Sequence, residues 1–437
     1  MRSMGHYIPT TDREKKDMLA AIGMMDMQAL FSSVPSHILA DRWDLPAGLS
    51  ELEVRAKMEK MADKNKVFSS IFRGAGAYNH YIPAIVKAIT GKEEFLTAYT
   101  PYQAEISQGL LQSIFEYQTD ICQLTGMDAS NASVYDGATA AAEAVAMCKE
   151  RKKNTVIVSK TIKPDTLEVI KTYCRGNGME VVLTGEKEGR THLQGFAPDD
   201  SIACVYVEQP NFFGLIEDVS ALAEVTHQAG AKLIVGCNPI SLGILPTPAS
   251  CGADIAVGEG QSLGIPMGFG GPYLGFMACK YDLVRKLPGR IVGETVDQKG
   301  QRAFVLTLQA REQHIKREKA SSNICSNEAL CAMTAAVYLA ALGATGLREV
   351  AVQCTSKAHY LATELSKIGY TPLYPGAFFH EFVTICPKGA QNALDALEQA
   401  DILGGLPLDE NTILWCTTEK NSKEDMDKLV AVLKEVG

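Results

Sequence analysis

The spacing of hydrophobic residues predicts an α/β protein in the middle of the chain. Six apolar runs have the length of strands, and helical stretches separate most of the early ones. The predicted strands are 155–159, 179–184, 202–208, 232–237, 254–258 and 275–279, and the predicted helices are 139–149, 165–174 and 219–229. The strands are continuously apolar rather than alternating, which indicates a mainly parallel sheet covered on both faces.

Both ends of the chain depart from this pattern. Residues 1–70 alternate short helical segments, such as 51–62, with proline and glycine breaks, so we expect a helical arm that packs on something larger, such as another subunit. A large α/β domain is predicted over 71–325 and a smaller α+β domain over 326–437. The smaller domain should begin with an Ala/Leu-rich helix that runs to about residue 342.

Composition excludes several classes of protein. The 437 residues are 46% hydrophobic and 21% charged, which is ordinary for a globular protein, and a net charge of −9 argues against a general nucleic-acid binder. The twelve cysteines form no CxxC pair, so we expect buried, reduced thiols and no metal site. We find no run of membrane-span length and no signal peptide, which predicts a cytoplasmic protein.

A turn of small residues enters the first helix of the predicted α/β domain. It comprises Asp136, Gly137, Ala138 and Thr139. Backbone N–H groups at a helix N-terminus bind anions, so this turn is suited to a phosphate group. Close packing of an Ala-rich helix explains the same residues equally well, and the sequence leaves both interpretations open.

The order of the later segments resembles the fold-type I enzymes that use pyridoxal phosphate (PLP). In that family a strand ends in an Asp that pairs with the pyridine nitrogen, and the Schiff-base lysine follows roughly twenty-five residues later. Here the Asp position falls at Gly236 and the lysine position at Gln261. An amide has no lone pair available to form an imine, so we expect no covalently bound PLP. The resemblance implies a large domain with a mainly parallel seven-stranded sheet and a smaller α+β C-terminal domain.

Four longer strings make the resemblance more specific. TAYTPYQAEISQG (97–109), NASVYDGATAAAEA (131–144), LPGRIVGETVD (287–297) and LQAREQHIKREKASSNICS (308–326) are similar to the glycine cleavage system P-protein family. They match the N-terminal half of its long single-chain form, from about residue 6 to at least 345, and the last hundred residues match less well.

This resemblance implies an α subunit that bears no PLP and is inactive alone. A β subunit would carry PLP in an α2β2 assembly, which would decarboxylate glycine and pass the aminomethyl group to lipoyllysine of the H-protein. The alternative is a non-catalytic regulator or scaffold that binds a small ligand noncovalently. An independent PLP enzyme using Lys160, Lys163 or Lys280 is disfavoured, because none of these follows the strand that should present it.

Three residues near the end of the large domain are candidates to reach the partner's active site. Ser321, Ser322 and Asn323 lie where related dimeric PLP enzymes contact the neighbour's phosphate group. The alternative is that they cap the helix that starts near Glu328.

Further candidates carry positive charge or a hydroxyl group. They are Arg311, His314, Tyr78, Tyr99 and Tyr102. The basic pair could steer an anion, although a charged helix face with local glutamates explains it too. The tyrosines could donate a hydroxyl to a bound carboxylate, or they could pack at a subunit interface.

Overall fold

The computed structural model describes residues 9–40, 44, 46–193 and 199–436, which form two compact units that divide after Val67. The α-helices are α1 (Asp12–Ala21), α2 (Glu51–Ala62), α3 (Ala84–Thr90), α4 (Glu93–Leu96), α5 (Gln108–Thr125), α6 (Gly137–Met147), α7 (Pro164–Asn177), α8 (Val219–Gln228), α9 (Gln313–Lys316), α10 (Ala329–Lys367), α11 (Ala390–Gln399) and α12 (Lys423–Val436). The strands are β1 (Ser70–Ile71), β2 (Ala129–Ser130), β3 (Thr155–Val158), β4 (Glu180–Leu183), β5 (Gly185–Lys187), β6 (Arg190–His192), β7 (Ile202–Gln209), β8 (Lys232–Cys237), β9 (Ile255–Glu259), β10 (Gly275–Cys279), β11 (Val292–Val296), β12 (Arg302–Leu306), β13 (Thr371–Pro372), β14 (Glu381–Ile385), β15 (Ile402–Leu403), β16 (Leu406–Pro407) and β17 (Thr412–Cys416).

The first unit consists of local structure. Both α1 and α2 begin with a capping box, formed by Thr11 with Glu14 and by Ser50 with Glu53. Such boxes satisfy the first N–H groups of a helix without tertiary contacts. No residue of either helix is buried, which agrees with the expected lack of a core in this arm.

The second unit is built on a seven-stranded sheet in the order β2-β10-β9-β8-β7-β3-β4. The strands from β9 to β4 pair in parallel, and β10 runs antiparallel to both of its neighbours. Residues on the two faces of β3, β7, β8, β9 and β10 enter two different cores, one under α5 and α10 and the other under α6 and α7. The predicted fold class, with a mainly parallel sheet covered on both faces, is therefore confirmed.

The C-terminal part has its own core. Strands β13, β14, β17 and β16 form an antiparallel sheet, and α11, α12 and the second half of α10 pack on it. Trp415 is completely buried there, and its indole N–H donates to Thr384 Oγ1 at 2.8 Å. The boundary predicted between 71–325 and 326–437 stays a prediction.

The segment labelled α10 consists of two helices that meet at a kink. Gly343, with φ 61° and ψ −179°, is not helical, so the first helix ends where the sequence predicts, at about residue 342, and a second one continues to Lys367. Within the described residues α10 is the one segment that is long and apolar enough to span a membrane by length and composition, a test that a buried core helix also passes. Its packing against α3, α5 and α12 gives the same apolar residues a role in the core.

Gly214 offers a test of the close packing between the loop after β7 and the C-terminal sheet. Its φ is +82°, and a Cβ there would lie 1.9 Å from the carbonyl oxygen of Glu381. Gly178 has a similar φ of +63° with open space around it. We expect Gly178→Ala to lower Tm by about 2–4 °C through backbone strain alone. Gly214→Ala should lower Tm by at least about twice as much, and equal losses in differential scanning calorimetry would contradict this packing.

Candidate functional site

A pocket opens at the carboxyl ends of three adjacent strands, where ligands bind in open α/β sheets. Glu208, Gly236 and Glu259 line it from β7, β8 and β9, and Gly137 faces it from the start of α6. The pocket encloses about 540 Å³, including the part open to solvent. The structure therefore brings Gly137 of the small-residue turn and Gly236 to the same pocket, as the resemblance to fold-type I enzymes implies.

The start of α6 already has an anion. Glu259 Oε2 accepts a hydrogen bond from the N–H of Gly137 at 2.9 Å, and its Oε1 accepts from the N–H groups of Gln261 at 3.0 Å and Leu274 at 2.9 Å. Burial raises the pKa of this carboxyl, and the three N–H groups partly oppose the rise. The chain's own carboxylate thus occupies the N-terminus that a phosphate would bind.

The position that would hold the Asp of a PLP site has no room for it. A Cβ added to Gly236 would lie 2.4 Å from the hydroxyl oxygen of Tyr206 and 3.0 Å from Cγ of Glu208. The Tyr206 hydroxyl donates to Glu208 Oε1 at 3.2 Å. These two side chains fill the space in which a carboxylate would pair with the pyridine nitrogen.

Gln261 binds a peptide group of the chain itself. Its side chain is buried, its Oε1 accepts from the N–H of Tyr78 at 2.8 Å, and its Nε2 donates to the carbonyls of Tyr78 at 3.1 Å and Ile265 at 2.8 Å. The oxygen and the nitrogen of the side-chain amide are thus both hydrogen-bonded within the chain. Gln261 therefore fastens the loop that carries Tyr78 to the pocket.

Lys163 is a pocket residue that the sequence argument rejected by position. Its backbone N–H donates to Glu208 Oε2 at 2.9 Å, and its Nζ lies 3.2 Å from Asp165 Oδ2. Burial alone would lower the pKa of the ammonium, but the carboxylates of Asp165, Glu208 and Glu259 outweigh burial and raise it. A lysine held protonated is a counter-ion and not an imine-forming nucleophile.

The pocket continues toward the C-terminal sheet. Of the residues that line it there, Tyr78 was a candidate from the sequence, whereas His380 and Glu381 were not. The Tyr78 hydroxyl donates to Glu381 Oε2 at 2.8 Å, and the N–H of Ala75 donates to Oε1 at 2.6 Å. Burial raises the pKa of Glu381 to about 7. Burial also lowers the pKa of His380 to about 3, so this imidazole, 3.2 Å from Asn238 Nδ2, is neutral.

The serine candidates lie at a second, smaller cavity, apart from the pocket of Gly236. Ser321 and Asn323 are exposed, while Ser322 accepts from the N–H of Ile324 at 3.0 Å and hydrogen-bonds to the buried Glu143. Burial raises the pKa of Glu143 to about 7. None of the three caps α10, so that alternative was wrong; their role toward a partner stays a prediction.

The other candidates separate into engaged and exposed residues. Arg311 donates to the carbonyls of Leu287 and, at 2.7 Å, of Gly289. His314 is half exposed and lies 3.7 Å from Glu312.

The hydroxyl of Tyr102 donates to Asn327 Oδ1 at 2.7 Å, and its ring lies 4.7 Å from the Arg290 guanidinium. Tyr99 is 94% exposed. Of the three tyrosines, only Tyr78 reaches the pocket, and the basic pair does not.

One group within the described residues gathers three metal-ligating side chains, His80, Cys354 and Glu419, with candidate atoms within 4.8 Å of one another. They are hydrogen-bonded as they stand. His80 Nδ1 lies 2.7 Å from Glu419 Oε2, and the Cys354 thiol donates to the same oxygen at 3.5 Å. Sequence reasoning could not find this group, because its members lie far apart along the chain.

Comparison with known proteins identifies the family. The family model described as "Glycine cleavage system P-protein" matches residues 5–433. The chain belongs to this family. A relative named "Probable glycine dehydrogenase (decarboxylating) subunit 1" from Moorella thermoacetica is 49% identical over 443 residues, covering 98% of this chain and 99% of the relative. The protein of the same name from Bacillus cereus is 46% identical over 437 residues, covering 97% and 98%.

Solved structures agree with this assignment. The crystal structure of a glycine decarboxylase (P-protein) in inhibitor-bound form superposes with a TM-score of 0.94 at 44% identity, covering 99% of this chain and 100% of that one. Glutamate decarboxylase from Lactobacillus brevis superposes with a TM-score of 0.68 at 11% identity, covering 93% and 97%. The second match shows the fold alone, and it confirms the resemblance to PLP enzymes.

The pocket of this P-protein family member does not fit the cofactor that its fold family implies. The lysine position holds the engaged amide of Gln261, the Asp position is closed by Tyr206, and Glu259 occupies the anion site. Three separate requirements for PLP therefore fail within this chain. We derive no catalytic step through PLP at this pocket.

Buried Glu381 gives the pocket a measurable pH dependence. The native carboxyl keeps its proton up to about pH 7, whereas the unfolded one loses it near its usual value of 4.5, so this group's contribution to stability is lost as pH rises between the two. Glu381→Gln cannot ionise. We expect its Tm relative to the wild type to rise from pH 5 to pH 8, corresponding to roughly 1–3 kcal/mol. The Tm of the exposed control variant Glu424→Gln should change with pH in parallel with that of the wild type. A parallel curve for Glu381→Gln would contradict the raised pKa of Glu381.

Proposed function

We propose that this chain is the α subunit of a glycine dehydrogenase (decarboxylating), and that a separate β subunit carries PLP and its lysine. The observation that carries this proposal is that the chain's own side chains take the cofactor positions: Tyr206 lies over Gly236, Glu259 binds the start of α6, and the amide of Gln261 is hydrogen-bonded. The chain matches the P-protein family over residues 5–433. A chain that keeps the fold but fills the cofactor site with its own side chains needs a second chain for the chemistry. The relatives' name, "subunit 1", supports the same division.

In this proposal the work is shared in a cytoplasmic α2β2 assembly. The β subunit supplies the cofactor, on which glycine loses CO2, and the aminomethyl group passes to lipoyllysine of the H-protein. The lipoyl disulfide takes the electrons, so no nicotinamide cofactor is needed. The α subunit contributes surface and positioning groups and no covalent step.

The exposure of the candidate residues selects those that are available to a partner. Ser321, Asn323 and Tyr99 are exposed, whereas Tyr78 and Arg311 are committed to contacts within this chain. We propose that Ser321 and Asn323 act toward the β subunit. Ser321 also lines the second cavity, together with Glu143.

Reconstitution tests the proposed function. Co-expression with a β chain of the same family that has a lysine at the Gln261 position should give glycine–bicarbonate exchange that requires both chains and lipoylated H-protein. This chain alone, incubated with PLP, should give no borohydride-reducible imine, because Gln261 is an amide and Lys163 stays protonated. Exchange by either chain alone would overturn the division of labour, and full activity of the β chain without this one would favour a regulator or scaffold.

Substitution in the assembled complex tests the candidate residues. Ser321→Ala combined with Asn323→Ala should weaken binding of PLP by roughly 5- to 30-fold, as expected for the loss of one or two polar contacts to a charged group. Fluorescence titration of apo complex with PLP gives the Kd. Exposed Ser250→Ala, which removes a hydroxyl of local function, should have no effect. An unchanged Kd in the double variant would contradict the proposed role of Ser321 and Asn323.

A further inference from the structure

We propose that His80, Cys354 and Glu419 form a binding site for one zinc ion. Their candidate ligand atoms are His80 Nδ1, Cys354 Sγ and a carboxylate oxygen of Glu419, and they lie within 4.8 Å of one another. None of the three residues lines the pocket of Gly236. The site therefore goes beyond the proposed function, and it holds or fails independently of glycine cleavage.

The chemistry of these ligands selects the ion. Zinc accepts thiolate, imidazole and carboxylate ligands together, whereas magnesium and calcium prefer oxygen ligands throughout. The thiolate of Cys354 and the carboxylate of Glu419 balance the two positive charges of the ion. All three side chains are largely buried, where a charge needs such a partner. The group thus offers a neutral, soft-ligand site for a divalent ion.

The distances require little rearrangement. Bonds of about 2.0–2.3 Å to a tetrahedral zinc ion place its ligand atoms roughly 3.3–3.6 Å apart. Cys354 Sγ lies 3.5 Å from Glu419 Oε2, and His80 Nδ1 lies 2.7 Å from the same oxygen. The second pair has to open by roughly half an ångström. Small rotations of the side chains are enough, and the fold stays unchanged.

The ligands are held in place by bonds between their segments. His80 precedes α3, Cys354 lies in α10, and Glu419 follows β17. The Thr417 hydroxyl donates to the carbonyl of Cys354 at 3.2 Å, and Glu419 Oε1 accepts from the N–H of Tyr81 at 2.5 Å. Carboxylates that bind metals are commonly fixed by such an outer partner. Ligands from three segments leave no CxxC spacing, which is why the sequence predicts no metal site.

Two buried polar atoms at this group point to a ligand. The Tyr338 hydroxyl and His80 Nε2 have no hydrogen-bond partner among the described residues. Burial and the nearby Glu419 and Cys354 raise the pKa of the Tyr338 phenol. Zinc with three protein ligands takes a water in its fourth position, and this water gives the phenol a partner. Nε2 carries the imidazole proton once Nδ1 binds the ion, and the thiol releases its proton to solvent.

The order of contacts argues against a catalytic thiol. In such sites an imidazole contacts the sulfur and takes its proton. Here the carboxylate of Glu419 lies between His80 and Cys354 and contacts both. Burial also raises the pKa of the Cys354 thiol well above its usual value, which is the reverse of activation. The group is suited to holding an ion rather than to attacking a substrate.

Metal analysis of the full chain tests the proposal. All variants carry Cys325→Ser, because Cys325 is an exposed thiol that can bind zinc by itself. Expression in zinc-supplemented medium lets the ion enter while the chain folds. We expect one zinc ion per chain by mass spectrometry after gel filtration. With free zinc at about 100 times its Kd, Tm should be roughly 3 °C above that of the chelator-treated chain. Magnesium should cause no such rise.

Cobalt in place of zinc identifies the ligands. The chain expressed with cobalt should show the near-ultraviolet charge-transfer absorption of a cobalt–thiolate bond, and Cys354→Ser should abolish it. Cys386→Ser is the matched control, because it alters a buried thiol outside the group, and it should keep the absorption and the zinc. Glu419→Gln covers the case in which Cys354→Ser folds poorly. It keeps the shape of the side chain and should weaken zinc binding by at least roughly 10-fold.

Two results would overturn the proposal. One is a chain from supplemented medium that contains no zinc and gives no cobalt–thiolate absorption. The other is zinc retained by Cys354→Ser and Glu419→Gln to the same extent as by Cys386→Ser, which would show that the metal binds elsewhere.

Discussion

The contact between the Glu259 carboxylate and the start of α6 is the constraint on which the pocket depends. It joins the end of β9, the first turn of α6 and the segment before β10 through three backbone N–H groups. Two of these donors belong to the loop that also carries Gln261, so the same carboxylate sets the position of the amide that fastens Tyr78. From there the network continues to Glu381 and the C-terminal sheet. The Glu259 side chain thus begins a hydrogen-bond network that runs from the parallel sheet to the C-terminal sheet.

Much of the fold follows from the sequence because its signals are local. The strands β8 and β10 begin and end at the predicted residues, and the other predicted strands differ by one or two positions. Continuous apolar runs favour buried parallel strands, and short polar breaks end them. The break within α10 follows for the same reason, because Gly343 adopts the positive φ that glycine tolerates and ends the first of its two helices near the predicted residue.

The pocket was only partly predictable. Gly236 and Gly137, which the sequence singled out in separate segments, line one pocket, while the roles assigned to them and to Gln261 stay predictions. Sequence reasoning did not find Glu259, two residues before Gln261, since a glutamate at the end of a strand is unremarkable until its partners are known. Lys163 was rejected by its position along the chain, and His380 and Glu381 were missed. Their roles arise from contacts between distant segments, and no local pattern records such contacts.

The Tyr206 hydroxyl above Gly236 limits what a single substitution can achieve in this pocket. A lysine placed at position 261 alone would leave Tyr206 in the space over Gly236. An acid placed at position 236 alone would collide with the Tyr206 hydroxyl. Glu259 would in either case still hold the N–H at the start of α6. No single substitution therefore makes room for the ring and the phosphate group of PLP together. A variant of this pocket that binds PLP would need concerted changes at several positions on different strands.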